Sequence, residues 1–169
     1  MTEWTLALAS FVMVFASDGI AQSEQSKNAL VGTWKLVSVT KTTDKGEIIR
    51  NPFGLNPTGF LTYTAGGRMT AIITYEGRKP LSVNDYISAP AEERAEAFAT
   101  MIAYAGRYMF TGDKVTHHVE AASLQNWVNT DQVRFAKLQG DRLTLRTPPG
   151  ILMGGVRLGG VELVWEQMK

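Results

Sequence analysis

The segment 59–75 constrains this chain more than any other: GFLTYT, then AGG, then RMTAIITY. Two short runs rich in β-branched and aromatic residues flank a glycine-rich reversal. Glycine supplies the positive φ that tight hairpin turns need, so the segment predicts two antiparallel strands, 59–64 and 68–75, joined at Ala65-Gly66-Gly67. The pattern recurs along the chain. Residues 29–39, ALVGTWKLVSV, predict a first strand with Trp34, Leu36 and Ser38 on one face and Lys35, Val37 and Val39 on the other. Asp44-Lys45-Gly46 is a turn and residues 47–50 a short extension, after which Pro52, Gly54, Asn56 and Pro57 break regular structure. Residues 107–110 lead into Thr111-Gly112-Asp113. Further strands are predicted at 114–121 (KVTHHVEA), 132–138 (QVRFAKL), 142–147 (RLTLRT) and 161–167 (VELVWEQ). Residues 76–87 read as a loop or irregular strand, and the glycine-rich stretch 154–160 as a connection or bulge.

One segment has a different period. Ala91, Ala95, Phe98, Met101, Ile102 and Ala105 recur at helical spacing, which predicts a helix over residues 90–105. Ser88 is placed to cap it, Pro90 is tolerated in a first turn, Glu92 and Glu93 lie near the positive end of the dipole, and Gly106 and Arg107 suit its end. Such a helix packs across the mouth or flank of a barrel, or acts as a lid over a cavity.

The chain length suits one domain with one core. The expected fold class is all-β: an antiparallel barrel of about eight strands, mostly in sequential hairpins, with one inserted helix. Closure removes exposed strand edges, and a barrel of that size has an interior filled by side chains or by one small ligand. A β-sandwich is the alternative that patterning leaves open.

Residues 5–16, TLALASFVMVFA, form an apolar run of signal-peptide length, shorter than a normal membrane span. Gly19 and Ala21 supply small residues before a cut, so residues 1–21 are expected to be a signal peptide, 22–29 a flexible leader and 30–169 the barrel domain, with a periplasmic or secreted location. No Lys or Arg precedes the run, and Glu3 does; an uncleaved anchor and a helix of the domain are the alternatives. With the signal removed, no stable membrane insertion is expected. The chain has no cysteine, which excludes disulfides, thiolate metal sites, a cysteine nucleophile and a lipoprotein anchor.

The formal net charge is +1 with no basic stripe, so nucleic acid is not an expected partner. There is no dinucleotide fingerprint, phosphate-binding loop or Gly-x-Ser-x-Gly elbow, and no cofactor is expected. Both histidines lie in His117-His118-Val119-Glu120. On a regular strand His118 and Glu120 share one face, where they form a candidate general acid–base pair; His117 shares the other with Val115 and Val119 and reads as a hydrogen-bonded structural histidine. Gln132 and Arg134 share a face of the next strand. An internal Arg134 needs a partner, either Glu120 or a ligand carboxylate, because an unpaired buried charge is costly. His118, Glu120 and Arg134 are therefore the candidate catalytic residues. Tyr63, Tyr75, Tyr108 and Trp127 are the candidate ligand-binding residues, since aromatic side chains suit either a pocket for a ring or acyl chain or a dry core. A metal site has little support, because two adjacent histidines supply at most one ligand to one face.

Gly32-Thr33-Trp34 resembles the opening of the first strand in the calycin superfamily, where Gly admits the chain closely and the indole plugs the barrel end. NPTGFLTYTAGGRM (56–69), AEERAEAF (91–98), YAGRY (104–108), HHVEAASLQNWVNTDQVRF (117–135) and GDRLTLRTPP (140–149) resemble the lipocalin-like domain family of bacteria and fungi. That resemblance covers nearly all of residues 30–167. It implies a small single-domain barrel; some relatives stand beside biosynthetic enzymes, and broadly similar barrels catalyse cyclisation or isomerisation without a cofactor.

Three functional readings follow. The first is binding of a small hydrophobic or amphipathic molecule in a barrel cavity. The second is a cofactor-independent isomerase or cyclase acting on such a molecule, with His118, Glu120 or Arg134 moving a proton or stabilising charge. The third is a filled-core structural or interaction protein.

Overall fold

A computed structural model describes residues 29–169; the expected signal peptide, and the leader up to residue 28, lie outside the described residues. The described residues form ten strands, one α-helix and a short 3-10 turn at Gln125–Trp127: β1 (Gly32–Thr43), β2 (Ile48–Arg50), β3 (Thr58–Tyr63), β4 (Arg68–Thr74), α1 (Ala91–Ala99), β5 (Met101–Phe110), β6 (Lys114–Ala122), β7 (Asp131–Gln139), β8 (Arg142–Arg146), β9 (Leu152–Met153) and β10 (Val156–Gln167). Eight of them close a barrel in the order β1-β3-β4-β5-β6-β7-β8-β10, with β10 pairing back to β1. Every pairing is antiparallel, and β2 and β9 are short appendages on β1 and β10. The closing seam excludes the sandwich alternative.

Period-two patterning sorts side chains as expected on β3, β4 and β8, but a bulge between Leu36 and Ser38 of β1 turns Val39, expected on the face of Lys35 and Val37, to the buried side with Trp34 and Leu36. Leu61 and Tyr63 of β3, Met69, Ala71 and Ile73 of β4, and Leu143 and Leu145 of β8 are buried, with their strand neighbours turned outward. Trp34 is 1% exposed, and its indole N–H donates to the Leu30 carbonyl at 2.9 Å. Gly32 lies at φ 138°, with its missing Cβ directed at the Gln167 side chain, so the close entry of the first strand is real.

The expected helix is half the predicted length. It spans Ala91–Ala99, and Met101, Ile102 and Ala105 lie on β5 instead. Pairing overrides the helical period there, because residues 101–107 bond to β4 on one side and residues 104–110 to β6 on the other. Gly106 is not a helix cap but the pivot of a β-bulge. The register steps from Ala105↔Ala121 to Gly106↔Val119, which leaves Glu120 unpaired, and a Cβ on Gly106 would collide with the His118 carbonyl oxygen. Pro90 stands at the helix N-cap position, where no side chain caps. None of the helix's residues is buried. It is tied to the preceding loop by Arg78, which donates to the Ala97 carbonyl at 2.7 Å, and by Glu93, which accepts from the Ser82 backbone N–H at 2.8 Å.

Candidate functional site

The barrel is filled at one end and open at the other, and the division falls at corresponding levels on neighbouring strands. Trp34, Tyr63, Met69, Phe110, Val115, His117 and Leu143 pack the closed half. Further along the barrel, Leu61, Ala71, Ile73, Tyr104, Arg134 and Leu145 face a cavity of about 370 Å³. Trp165, Leu163 and Val161 of β10 complete the wall, and Phe53, Trp127 and Ile151–Met153 contribute from loops and β9. This volume is near the lower end of small-molecule sites, which run from about 300 to 1,000 Å³. The wall is mostly aliphatic and aromatic. Among the described residues its polar members are Tyr104, Gln132, Arg134 and Thr147, with no Asp or Glu.

Between the two halves lies a buried hydrogen-bond chain. His117 is wholly buried, with Nε2 at 2.7 Å from the Tyr63 hydroxyl and Nδ1 at 3.1 Å from the Tyr104 hydroxyl. Burial, reinforced by the Arg134 charge, holds the imidazole pKa down at about 3, so the ring is neutral. One nitrogen then donates and the other accepts. The Tyr63 hydroxyl is buried and has only His117 as partner among the described residues, so it must donate to Nε2. Nδ1–H then donates to the Tyr104 oxygen, and the Tyr104 proton is left for the cavity side. The opposite polarity would strand the Tyr63 proton in the core, at a cost of about 1–3 kcal/mol. Burial raises the pKa of both phenols, which keeps them neutral donors.

Arg134 reaches this chain from β7. It is 9% exposed, donates to the Val133 carbonyl at 2.8 Å, and lies within electrostatic and hydrogen-bonding range of Tyr104. Among the described residues no carboxylate pairs with it; the ion pairs there are Arg68–Glu120, Arg107–Glu120 and His118–Asp131. Trp165, also in the wall, has a buried indole N–H with no acceptor among the described residues.

The expected catalytic trio does not assemble. Arg134 faces inward, but His118 pairs with Asp131 at 2.9 Å on the outside, and Glu120 sits outside between Arg68 (2.6 Å) and Arg107 (3.0 Å). The strand face shared by His118 is the solvent face, and the bulge at Gly106 turns Glu120 toward the two outer arginines. His117 takes the inward place and is hydrogen-bonded, as its valine neighbours suggested. Of the four expected ligand-binding residues, Trp127 is in the cavity wall, edge-on to Tyr104 at 5.4 Å. The other three are corrected. Tyr63 lies in the packed half, Tyr75 stacks on Phe53 at 4.1 Å, and Tyr108 packs on Tyr63 and donates to the Thr64 carbonyl. Trp165 and the 151–153 segment are wall residues that the sequence reading does not single out. Alternation of Ile102 and Tyr104, and of Leu163 and Trp165, was the available signal, masked in the first case by the helical period. The helix contributes no wall residue, so the lid role is not supported.

Residues 31–168 match the model of the lipocalin-like domain family. The chain belongs to that family. A relative of this lipocalin-like chain is a 4'-hydroxy-3'-methoxypropiophenone carrier protein of Aspergillus oryzae (strain ATCC 42149 / RIB 40), 28% identical over 108 residues, covering 59% of this chain and 96% of the relative. Solved structures similar to the lipocalin-like barrel include a lipocalin-like protein from Bacteroides uniformis ATCC 8492, with 11% identity, a TM-score of 0.43, and coverage of 83% of this chain and 99% of that one. Another is an uncharacterized protein from Bacteroides eggerthii DSM 20697, with 14% identity, a TM-score of 0.41, and coverage of 82% and 99%. No helix among the described residues is long and apolar enough to cross a membrane.

Proposed function

We propose that this lipocalin-like protein binds and carries a small apolar or amphipathic organic molecule in its barrel. The observation that carries this reading is the cavity of about 370 Å³, apolar over most of its wall and polar at one place. A barrel built only as a filled structural body has no use for such a space, since unfilled volume in a core costs stability. The Aspergillus relative's name, a carrier of an aryl ketone, supports the same class. A catalytic reading needs proton-transfer groups gathered in the cavity. His118 and Glu120 are outside, so we do not argue for an isomerase or cyclase. We extend the reading to export: residues 1–21 as a signal peptide would deliver the carrier to the periplasm or medium.

Tryptophan fluorescence tests the reading, because Trp127 and Trp165 stand in the wall. Titration with 4'-hydroxy-3'-methoxypropiophenone as probe should give saturable quenching, and Ala71→Phe, which fills the cavity from β4, should abolish it. Native mass spectrometry of the protein from a bacterial host should show an added mass that is lost on denaturation. Quenching unchanged by Ala71→Phe, together with a clean mass, would refute cavity binding.

A further inference from the structure

The polar corner of the cavity specifies more than general affinity for apolar molecules. Apart from the Gln132 amide oxygen at its margin, the protein groups there that are free to make a new bond donate. Arg134 carries donors only, and Val133 accepts from one of them. The accounting above leaves the Tyr104 hydroxyl proton unclaimed. The Trp165 indole N–H has no acceptor among the described residues. Thr147 already accepts from the Val161 backbone N–H at 2.9 Å, and Gln132 donates to Thr130 at 3.1 Å, which leaves its amide oxygen as an acceptor at the margin. A full positive charge therefore stands 9% exposed in a wall to which the described residues contribute no Asp or Glu. A buried cation in apolar surroundings is costly unless a negative group meets it. Arg134 faces the cavity and no described carboxylate reaches it, so the compensating charge has to come with the occupant.

We infer that the physiological ligand is an organic anion whose carboxylate is held by Arg134 and Tyr104, with its apolar body in the space walled by Ile73, Leu163, Trp127 and Trp165. The inference rests on the cavity-binding reading and adds the ligand's charge and orientation to it. The planar guanidinium presents paired donors matched to a carboxylate's two oxygens, and charge-assisted bonds of this kind are roughly twice as strong as neutral ones. A neutral alcohol or ketone satisfies a donor but leaves the charge uncompensated.

The test is isothermal titration calorimetry of the full chain with two probes of one skeleton, 4-phenylbutanoate and 4-phenylbutan-1-ol. The acid should bind at least about tenfold more tightly. Arg134→Met should erase that ratio, the acid losing more affinity than the alcohol, and Tyr104→Phe should weaken the acid by about two- to tenfold. Equal binding of acid and alcohol by the wild-type protein overturns the inference and leaves cavity binding standing. An undiminished acid preference in Arg134→Met also overturns it. Binding of neither probe removes the cavity-binding reading and the inference together. The wild-type comparison decides the matter even if Arg134→Met fails to fold, and Tyr104→Phe provides the second variant.

Discussion

The Tyr63 hydroxyl stands 2.7 Å from Nε2 of His117, and both residues are buried, 1% and 0% exposed. They come from strands that are not neighbours in the barrel, β3 and β6, so their bond spans the interior rather than a strand pair. A neutral imidazole satisfied on both nitrogens lies behind Tyr104, which lines the cavity, and its polarity decides that Tyr104 offers a proton to the cavity side.

Stability should fall with pH in a window set by His117. Its folded-state pKa of about 3 lies below the ordinary 6.5, so the unfolded chain binds the extra proton between those values. The associated stability is complete above about pH 6.5 and is lost as pH falls toward 3. Between pH 7.5 and 5.0 the loss should be about 2 kcal/mol. Glu76 and Glu120, whose pKa values are lowered from 4.5 chiefly by hydrogen bonds from Asn56 and from Arg68, contribute little between pH 7.5 and 5.0. Urea unfolding at both pH values should show the difference in the wild type and a much flatter response in His117→Gln. Equal slopes in the two proteins would falsify the assignment.

Gly106→Ala should cost about 3 kcal/mol or more, because the added methyl meets the His118 carbonyl in the bulge and backbone cannot rotate away as a side chain can. Gly66→Ala, whose Cβ finds nothing nearer than the Thr64 hydroxyl at 3.9 Å, is the control and should stay within about 0.5 kcal/mol. Thermal melts of the two variants separate a steric requirement at Gly106 from a general intolerance of change in hairpins.

Trp34→Ala should destabilise by about 3–5 kcal/mol, through the lost indole contacts and the space they leave. The side chain is 1% exposed, and the Leu30 carbonyl loses the bond it accepts at 2.9 Å. Denaturant unfolding measures the loss. Near-wild-type stability would show that the closed end does not depend on this plug.

Trp127→Ala should leave the melting temperature within a few degrees and weaken 4-phenylbutanoate about two- to tenfold by calorimetry. The residue is half-buried, lies on a loop turn rather than a strand, and its main interior contact is the edge-on ring of Tyr104. A large drop in stability with unchanged affinity would make it a loop anchor instead.

The barrel was legible in the sequence because each strand carries its own evidence: alternation, β-branched residues and glycine turns agree at 58–63, 68–74 and 142–146. The helix was over-extended because Phe98, Ile102 and Ala105 fit a 3.6-residue period as well as a strand, and local spacing carries no information about β4 and β6 waiting on either side. The site was harder to read. Which of two adjacent histidines faces inward is a question of parity, and sequence leaves the parity of a single strand undetermined until its neighbours are fixed. His117 was given the correct environment, yet its partners Tyr63 and Tyr104 are 54 and 13 residues away. Arg134 was recognised as needing a counter-charge if internal. The structure places it inside and supplies none from the described residues.

The seam between β1 and β10 sets a limit on when this protein can exist. Trp34 pairs with Gln167, and Thr33 accepts a bond from Met168, so the first strand finds its second neighbour more than a hundred residues later, in β10. Contacts of such long sequence separation form slowly, because the loop-closure entropy is lost before they repay it. During synthesis β1 has β3 on one side and an open edge on the other until residues 156–167 have been made. Closure therefore comes after every other strand of the barrel: whatever meets the nascent chain before β10 emerges, whether chaperone, protease or transport machinery, meets it before there is a cavity to fill.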